Sequence, residues 1–247
     1  MSFKGRLRKM AERLTGTHIY RSLPRGVDLP YDIASSLPNC RMDVLFDVGA
    51  NTGQSAQRFL DWFPAARIYC FEPVQDTYRK LQENLGSQAR VQCFRLALGS
   101  SVGKGKMALP GRSILAFLEG QSKQPRPAAE RTEEVDVSTV DQFCRSGNID
   151  AINYLKIDTE GGDIEILKGA RTLLTAGRID LVEVEAGMNA GNPWHVPFEA
   201  LKGFLESKGY ALFALYEQVN EWPAREPQLR RANAVFISPR VIETNRR

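Results

Sequence analysis

Residues 44–60 read VLFDVGANTGQSAQRFL. The first five residues are apolar except for Asp47, the next five are small or polar, and from Gln54 onward apolar residues return at helical spacing as Ala56, Phe59 and Leu60. A short apolar run, a glycine turn and an amphipathic helix make the repeating unit of a parallel sheet, whose strands are buried on both faces. The unit recurs. RIYCFEP (67–73) precedes a helical pattern over 74–85, AINYLKID (151–158) precedes GDIEILKGARTLL, and IDLVEVEA (179–186) precedes VPFEALKGFLESKGY. RVQCFRLAL (90–98) reads as a further strand, and Pro64 and Gly86 close the first two helices.

ALFALYE and NAVFISP are two strand patterns with no helix between them, which predicts an antiparallel hairpin at the sheet edge. The fold expected is α/β, a doubly wound, mainly parallel seven-stranded sheet with that hairpin. The alternation breaks after residue 98. GSSVGKGKMALP reads as a turn and a short strand, residues 111–130 as a long loop, and RTEEVDVST as a returning strand followed by a short helix to Cys144.

With 247 residues the chain is long enough for one sizeable core, and the expected division is an N-terminal extension, 1–40, and a main domain, 41–247. Pro24, Pro30 and Pro38 suggest an irregular connector between them. Residues 2–14 set Phe3, Leu7, Met10 and Leu14 on one helical face among basic residues. That helix is expected to pack its apolar stripe on the domain; the other reading is an arm for an anionic membrane surface or an acidic partner.

Residues 1–25 hold seven basic side chains and one acid, a surplus of six within a total net charge of +4, so the rest of the chain is slightly acidic. A basic nucleic-acid-binding face on the main domain is therefore not expected. The four cysteines, Cys40, Cys70, Cys93 and Cys144, lack metal-ligand or disulfide-scaffold spacing and read as small reduced hydrophobes. No apolar run suits a membrane span or the core of a signal peptide, giving a cytoplasmic expectation, with peripheral attachment to the inner membrane face as the second reading.

In a doubly wound sheet, ligands bind beyond the carboxyl ends of the strands. Residues 47–54 lie at such an end, where Gly49 and Gly53 permit a tight turn and Asn51 tolerates a left-handed backbone. The spacing is not that of a dinucleotide-binding turn, because Asn51 stands where glycine would be required, and no phosphate-loop motif is present. The Gly103–Lys106 run reads as a hairpin turn. Glu72, followed by Pro73, ends the next strand 25 residues after Asp47, where a carboxylate can accept both hydroxyls of a ribose or cap the following helix. A glycine turn without phosphate-binding features beside a ribose acid suits S-adenosyl-L-methionine.

FDVGANTGQ, CFEP, LALGS and above all YLKIDTEGGDIEILKGA resemble the FkbM family of class I S-adenosylmethionine-dependent methyltransferases, over about residues 42–238. The resemblance implies that Gly49, Ala50, Asn51 and Gly53 line the methionine moiety, Glu72 the ribose and the segment at Ala97 the adenine, and that Asp47, Gln54, Pro73 and Asp158 also belong to the cofactor-binding set. It further implies that Asp158 and Glu160 face the sulfonium and the acceptor, and that the reaction is O-methylation, commonly of sugar and other secondary-metabolite hydroxyls.

An alcohol must lose a proton, so a base is sought among Asp158, Glu160, Glu185 and His195; a magnesium ion on Asp158 and Glu160 is the alternative. Asp163 and Glu165, at a helix start, read as structural. Glu183 and Glu185 point to one face of an apolar strand and need partners there. Trp194 either stacks on a sugar or packs. The expected acceptor is a sugar hydroxyl in a glycan or glycolipid precursor. A polyketide-like or other small hydroxylated metabolite, and a non-catalytic cofactor-binding module, are the other readings.

Overall fold

The computed structural model describes residues 3–20, 22–110, 116–120, 128–189, 192, 194–221 and 225–246. The first apolar run is strand β1 (Val44–Val48), and the helical pattern after it is α3 (Gln54–Trp62). Strand β2 (Arg67–Phe71), helix α4 (Gln75–Leu85) and strand β3 (Val91–Phe94) follow as the sequence pattern predicts. Later in the chain come β8 (Ile152–Ile157), β9 (Ile179–Gly187), helix α8 (Phe198–Glu206), β11 (Ala211–Asn220) and β12 (Leu229–Ile237). Their order across the sheet is β11-β12-β9-β8-β1-β2-β3, parallel from β9 to β3, with β12 antiparallel to β9 and β11 antiparallel to β12. This is the doubly wound, mainly parallel sheet that the sequence pattern predicts, with the edge hairpin in place. A two-residue strand, β10 (Val196–Pro197), extends it alongside the end of β9, so eight strands are joined among the described residues.

Strand alternation divides the core into two layers. Val44, Phe46 and Val48 point to one side, where helices α5 (Val140–Ser146), α6 (Asp163–Gly169), α7 (Arg171–Thr175) and α8 contribute Val140, Ile166, Leu174 and Leu201. Leu45 points to the other, against Phe59 of α3 and Leu81 of α4, with α2 (Leu29–Ser36) and α9 (Pro239–Thr244) completing that layer through Ile33 and Val241.

Several expectations change. The connector is not irregular throughout: α2 forms within it, its first turn capped by the Asp28 carboxylate accepting the Tyr31 N–H at 2.9 Å. Pro30 sits in that first turn, where its missing N–H leaves no bond unmade. The strand expected over 90–98 ends at Phe94, and β4 (Ala97–Leu98) belongs to a second sheet with β5 (Gly103–Leu109), β6 (Phe117–Leu118) and β7 (Arg131–Ser138), in the order β4-β7-β5-β6. The Gly103–Lys106 run is therefore strand rather than hairpin turn. The loop expected at 111–130 contains β6; residues 111–115 and 121–127 lie outside the described residues.

The single helix expected over 162–174 is two. Asp141 accepts the N–H groups of Thr172 and Leu173 at 2.7 and 3.0 Å and so starts α7 afresh after α6 ends. Helix α1 (Phe3–Thr15) forms, but its stripe is not packed on the domain as expected: Leu7, Met10 and Leu14 are 52%, 61% and 76% exposed. Phe3's side chain lies outside the described residues. Among the described residues, no helix is long and apolar enough to cross a membrane.

Gly169, in the last turn of α6, lies so close to the Gly99 carbonyl oxygen that a Cβ would overlap it, whereas Gly203 in α8 has open space where a Cβ would go. Gly169→Ala should lower stability by about 1–3 kcal/mol, and Gly203→Ala should raise it by about 0.5–1 kcal/mol. Chemical denaturation of the two variants beside the parent measures both.

Candidate functional site

A cavity of about 690 Å³ opens beyond the carboxyl ends of β1, β2, β8 and β9. Its floor is set where β1 stops. Gly49 turns at a φ of +79°, and a Cβ there would overlap the Asp158 carbonyl oxygen at the end of β8, so only glycine fits without displacing that strand. The Asp158 N–H donates to the Val48 carbonyl at 3.0 Å, and the Gly49 and Ala50 N–H groups both reach the Phe71 carbonyl at 3.0 Å. Asn51 takes the left-handed conformation anticipated for it, at a φ of +50°.

Glu72 is buried at the end of β2, with Oε2 accepting the Asn51 N–H at 3.1 Å and Oε1 accepting the Val74 N–H at 2.9 Å. Burial pushes its pKa up to about 7, against the opposing pull of the Val74 and Asn51 N–H groups. One backbone donor per oxygen leaves each with further accepting capacity.

The predicted residues Gly49, Ala50, Asn51, Gln54, Glu72, Pro73, Ala97, Asp158, Glu160, Glu185 and His195 all line this cavity. Asp47 and Gly53 do not, contrary to the direct contact the resemblance implied. Asp47 lies fully buried beneath the wall, its carboxylate facing the Ala56 N–H in the first turn of α3 and the Lys156 ammonium 3.7 Å away. Gly53 takes a left-handed φ of +98°, which favours glycine whatever the space around it.

At the opposite end, side chains from β8, β9 and β12 converge. Asp158 Oδ2 accepts the Lys156 ammonium at 3.0 Å, and although burial works in the other direction, Lys156 holds the Asp158 carboxyl below the ordinary carboxylate range. Burial alone would make Lys156 easier to deprotonate, but Asp158, Asp47 and Glu183 raise its pKa instead. Glu185 Oε2 meets His195 Nε2 at 2.8 Å, and its Oε1 meets Arg231 Nη1 at 2.5 Å. The other ring nitrogen of His195 contacts the Asn192 amide, which is itself oriented: Nδ2 donates to the Arg230 carbonyl at 2.9 Å, and Oδ1 accepts the Trp194 N–H at 3.0 Å. Trp194 lines the cavity beside them.

Asp158, Glu160 and Glu185 each bring one carboxylate oxygen to within 4.8 Å of the others. Glu160 reaches this position through a left-handed backbone, φ +50°. Asp163, beneath them, accepts the Thr159 hydroxyl at 3.3 Å; burial, then the charges of Asp158 and Glu185, push its pKa up to about 8, so it stays protonated at neutral pH. Glu183 finds the partner its buried strand position requires in Asn233, at 2.7 Å, and also bonds the Tyr154 hydroxyl.

Sequence reasoning missed Lys156, Arg230, Arg231, Met107 and Leu118, all on the cavity wall. Lys156 was readable as the lone charge inside a core strand, two residues before Asp158 and hence on its side of the sheet. No local pattern marks the other four, which arrive from the edge hairpin and the second sheet.

Residues 47–212 match the family described as the methyltransferase FkbM domain. Relatives include the 2-O-methyltransferase NoeI of Sinorhizobium fredii, 25% identical over 151 residues, covering 57% of this chain and 62% of that protein. The hexuronic acid methyltransferase AglP of Haloferax volcanii is 31% identical over 147 residues, 60% of this chain and 58% of that one. Methyltransferase 1 of Beauveria bassiana is 28% identical over 207 residues, 75% of this chain and 78% of that one. The chain thus spans about three fifths of the length of the first two relatives. The family match takes in the loops after β1, β2, β8 and β9 that shape the cavity, and on that ground the chain belongs to the FkbM methyltransferase family.

Proposed function

We propose that this chain is an S-adenosylmethionine-dependent O-methyltransferase that works in the cytoplasm and methylates a sugar hydroxyl in a glycan or glycolipid precursor. The observation that carries the reading is one cavity joining two kinds of chemistry: a glycine turn and a ribose-type acid at one end, and converging carboxylates at the other. The cofactor fits the residues present. Asn51 and Gln54 line the methionine end, Glu72 retains capacity for two further hydroxyls, and Ala97, Leu98, Met107 and Leu118 offer an apolar wall for a purine. Bound there, the cofactor would supply a methyl group already activated by positive sulfur.

What the chain must add is alignment of the acceptor and a destination for its proton. Both nitrogens of His195 are engaged, by Glu185 and Asn192, so His195 acts on the acceptor only through Glu185. Glu185 and Asp158 are the groups that take the proton, with Arg231, His195 and Lys156 holding the two carboxylates in place. The oxygens of Asp158, Glu160 and Glu185 are the hard donors magnesium prefers. Asp158 and Glu185 are already matched by cationic or ring N–H partners, which favours the base route over a metal.

Support for an oxygen acceptor comes from the relative named a 2-O-methyltransferase, and support for a sugar from the one named a hexuronic acid methyltransferase, together with Trp194 on the cavity wall near Glu185 and His195, where an indole face suits a pyranose ring. A small hydroxylated metabolite is the runner-up.

Incubation with methyl-labelled S-adenosylmethionine and fractionated cell extract, with and without chelator, tests the reading. Label should enter polysaccharide or glycolipid regardless of chelator. Label only in small apolar metabolites would favour the runner-up, chelator sensitivity restored by magnesium would overturn the base route, and cofactor binding with no transfer to any fraction would favour a binding module.

Glu185→Gln should lower kcat by about 10²–10⁴-fold with cofactor affinity retained, and His195→Gln by less; a larger loss from His195→Gln would reverse their assigned order. The raised pKa of Glu72 sets a further expectation. Ionised above about 7, its carboxylate accepts both ribose hydroxyls; protonated below, it loses accepting capacity, so cofactor affinity measured calorimetrically should fall as pH drops through that value. Glu72→Gln should bind weakly at every pH and abolish the dependence.

A further inference from the structure

The methyltransferase reading leaves helix α1 without a task. Its chemistry is nevertheless specific. In a helical projection of the sequence, Phe3, Leu7, Met10 and Leu14 fall within an arc of about 60°. Arg6 and Arg13 border that arc on one side and Lys4 on the other, Arg8 and Lys9 lie further round, and Glu12, the one acid among residues 1–25, stands opposite. The domain does not cover the stripe: Leu7, Met10 and Leu14 are exposed, and Ile19, Tyr20 and Leu23 continue the exposed apolar set beyond the helix.

The root of the arm is fixed. Arg25 donates to Ser36 Oγ at 2.7 Å with its guanidinium 4.5 Å from the centre of the Phe213 ring, and the Gly26 N–H donates to Asp32 at 2.8 Å. Asp32 also accepts the Tyr216 hydroxyl at 2.8 Å, so the connector is bolted to the edge hairpin at that point. The segment before Arg25 carries six of the basic side chains, while the chain beyond it is slightly acidic.

We propose that residues 3–15 lie in the plane of an anionic phospholipid surface, with Leu7, Met10 and Leu14 seated among the acyl chains and the bordering arginines and lysines against headgroup phosphates. A protein groove closing over the helix would desolvate both basic borders and have to pair each cation individually. A bilayer meets both borders with phosphate while its apolar interior takes the stripe. The acidic remainder adds no attraction of its own, so lipid binding resides in the arm. This inference is independent of the acceptor and of turnover.

The test is sedimentation of the full chain with vesicles of phosphatidylcholine alone and of phosphatidylcholine with about a quarter phosphatidylglycerol. Binding is expected to the anionic vesicles only and to weaken at high salt as the charges are screened. Two variants separate the terms: Leu7→Ser/Met10→Ser/Leu14→Ser and Lys4→Gln/Arg6→Gln/Arg13→Gln should each reduce partitioning at least about tenfold. Calorimetric titration with S-adenosylmethionine on the same samples reports whether the domain remains intact. No binding to anionic vesicles, or binding unaffected by the serine variant, would overturn the proposal. So would a parent chain that elutes at twice its mass and becomes monomeric in the serine variant, since the stripe would then be a self-association face.

Discussion

One buried ammonium group holds the working end of this molecule together. Lys156 is 4% exposed, and its Nζ stands 3.0 Å from Asp158 and 3.7 Å from Asp47. Asp47 has no route to solvent and neither of its oxygens finds a hydrogen-bond donor among the described residues, so burial raises its pKa and Lys156 is the main group opposing that rise. Breaking such a buried arrangement by removing one member typically costs about 3–5 kcal/mol, against about 0–1 kcal/mol for an exposed pair. The ends of β1 and β8 are thereby joined by charge as well as by sheet hydrogen bonds. Asp158 is delivered ionised to the cavity, and its environment extends through Glu185 to β9 and through Arg231 to the edge hairpin.

The two faces of the sheet do different work near this point. On the face toward α5–α8, apolar side chains continue to the strand ends, as in Val48, Ile157, Val184 and Ala186. On the face toward α3, the same strands turn polar after Leu45, Tyr154 and Leu181, with Asp47, Lys156, Glu183 and Glu185 in successive inward positions. A smaller cavity of about 230 Å³ lies along this polar row, sharing Arg58 and Lys156 with the larger one. Arg58 spans the gap between them, bonded to Glu217 at 2.5 Å. Lys156 is the one cation of this row against three acids, and it opposes the burial that raises the pKa of Asp47 and of Glu183.

Much of this was legible in the sequence because parallel strands buried on both faces announce themselves, and because a glycine turn after such a strand has few uses. The same reasoning located Glu72 and paired Glu183 with Glu185. It failed where structure depends on partners distant in the chain. Arg95 and Leu96 carry no breaker, yet the strand divides there as the chain leaves one sheet for another, with Arg95 bonded to Glu133 at 2.8 Å. Arg231 reaches Glu185 only because β12 pairs with β9 in a register that sets Arg231 opposite Gly187 and Asn233 opposite Glu185. Local periodicity does not contain that register. Helix α2 was a misreading of a different kind: Asp28 followed by Pro30 is a helix start, and counting prolines as punctuation hid it.

The backbone contact between Gly49 and the Asp158 carbonyl has a kinetic corollary. The two turns touch with no side chain between them, so the floor after β1 cannot move without carrying the floor after β8. The floor behaves as one rigid plate. In the proposed reaction, any obligatory order of substrate entry or product departure would then originate in the other walls of the cavity, above all at Trp194 and His195 and on the strands of the second sheet, and substitutions there would alter the sequence of binding without disturbing the floor.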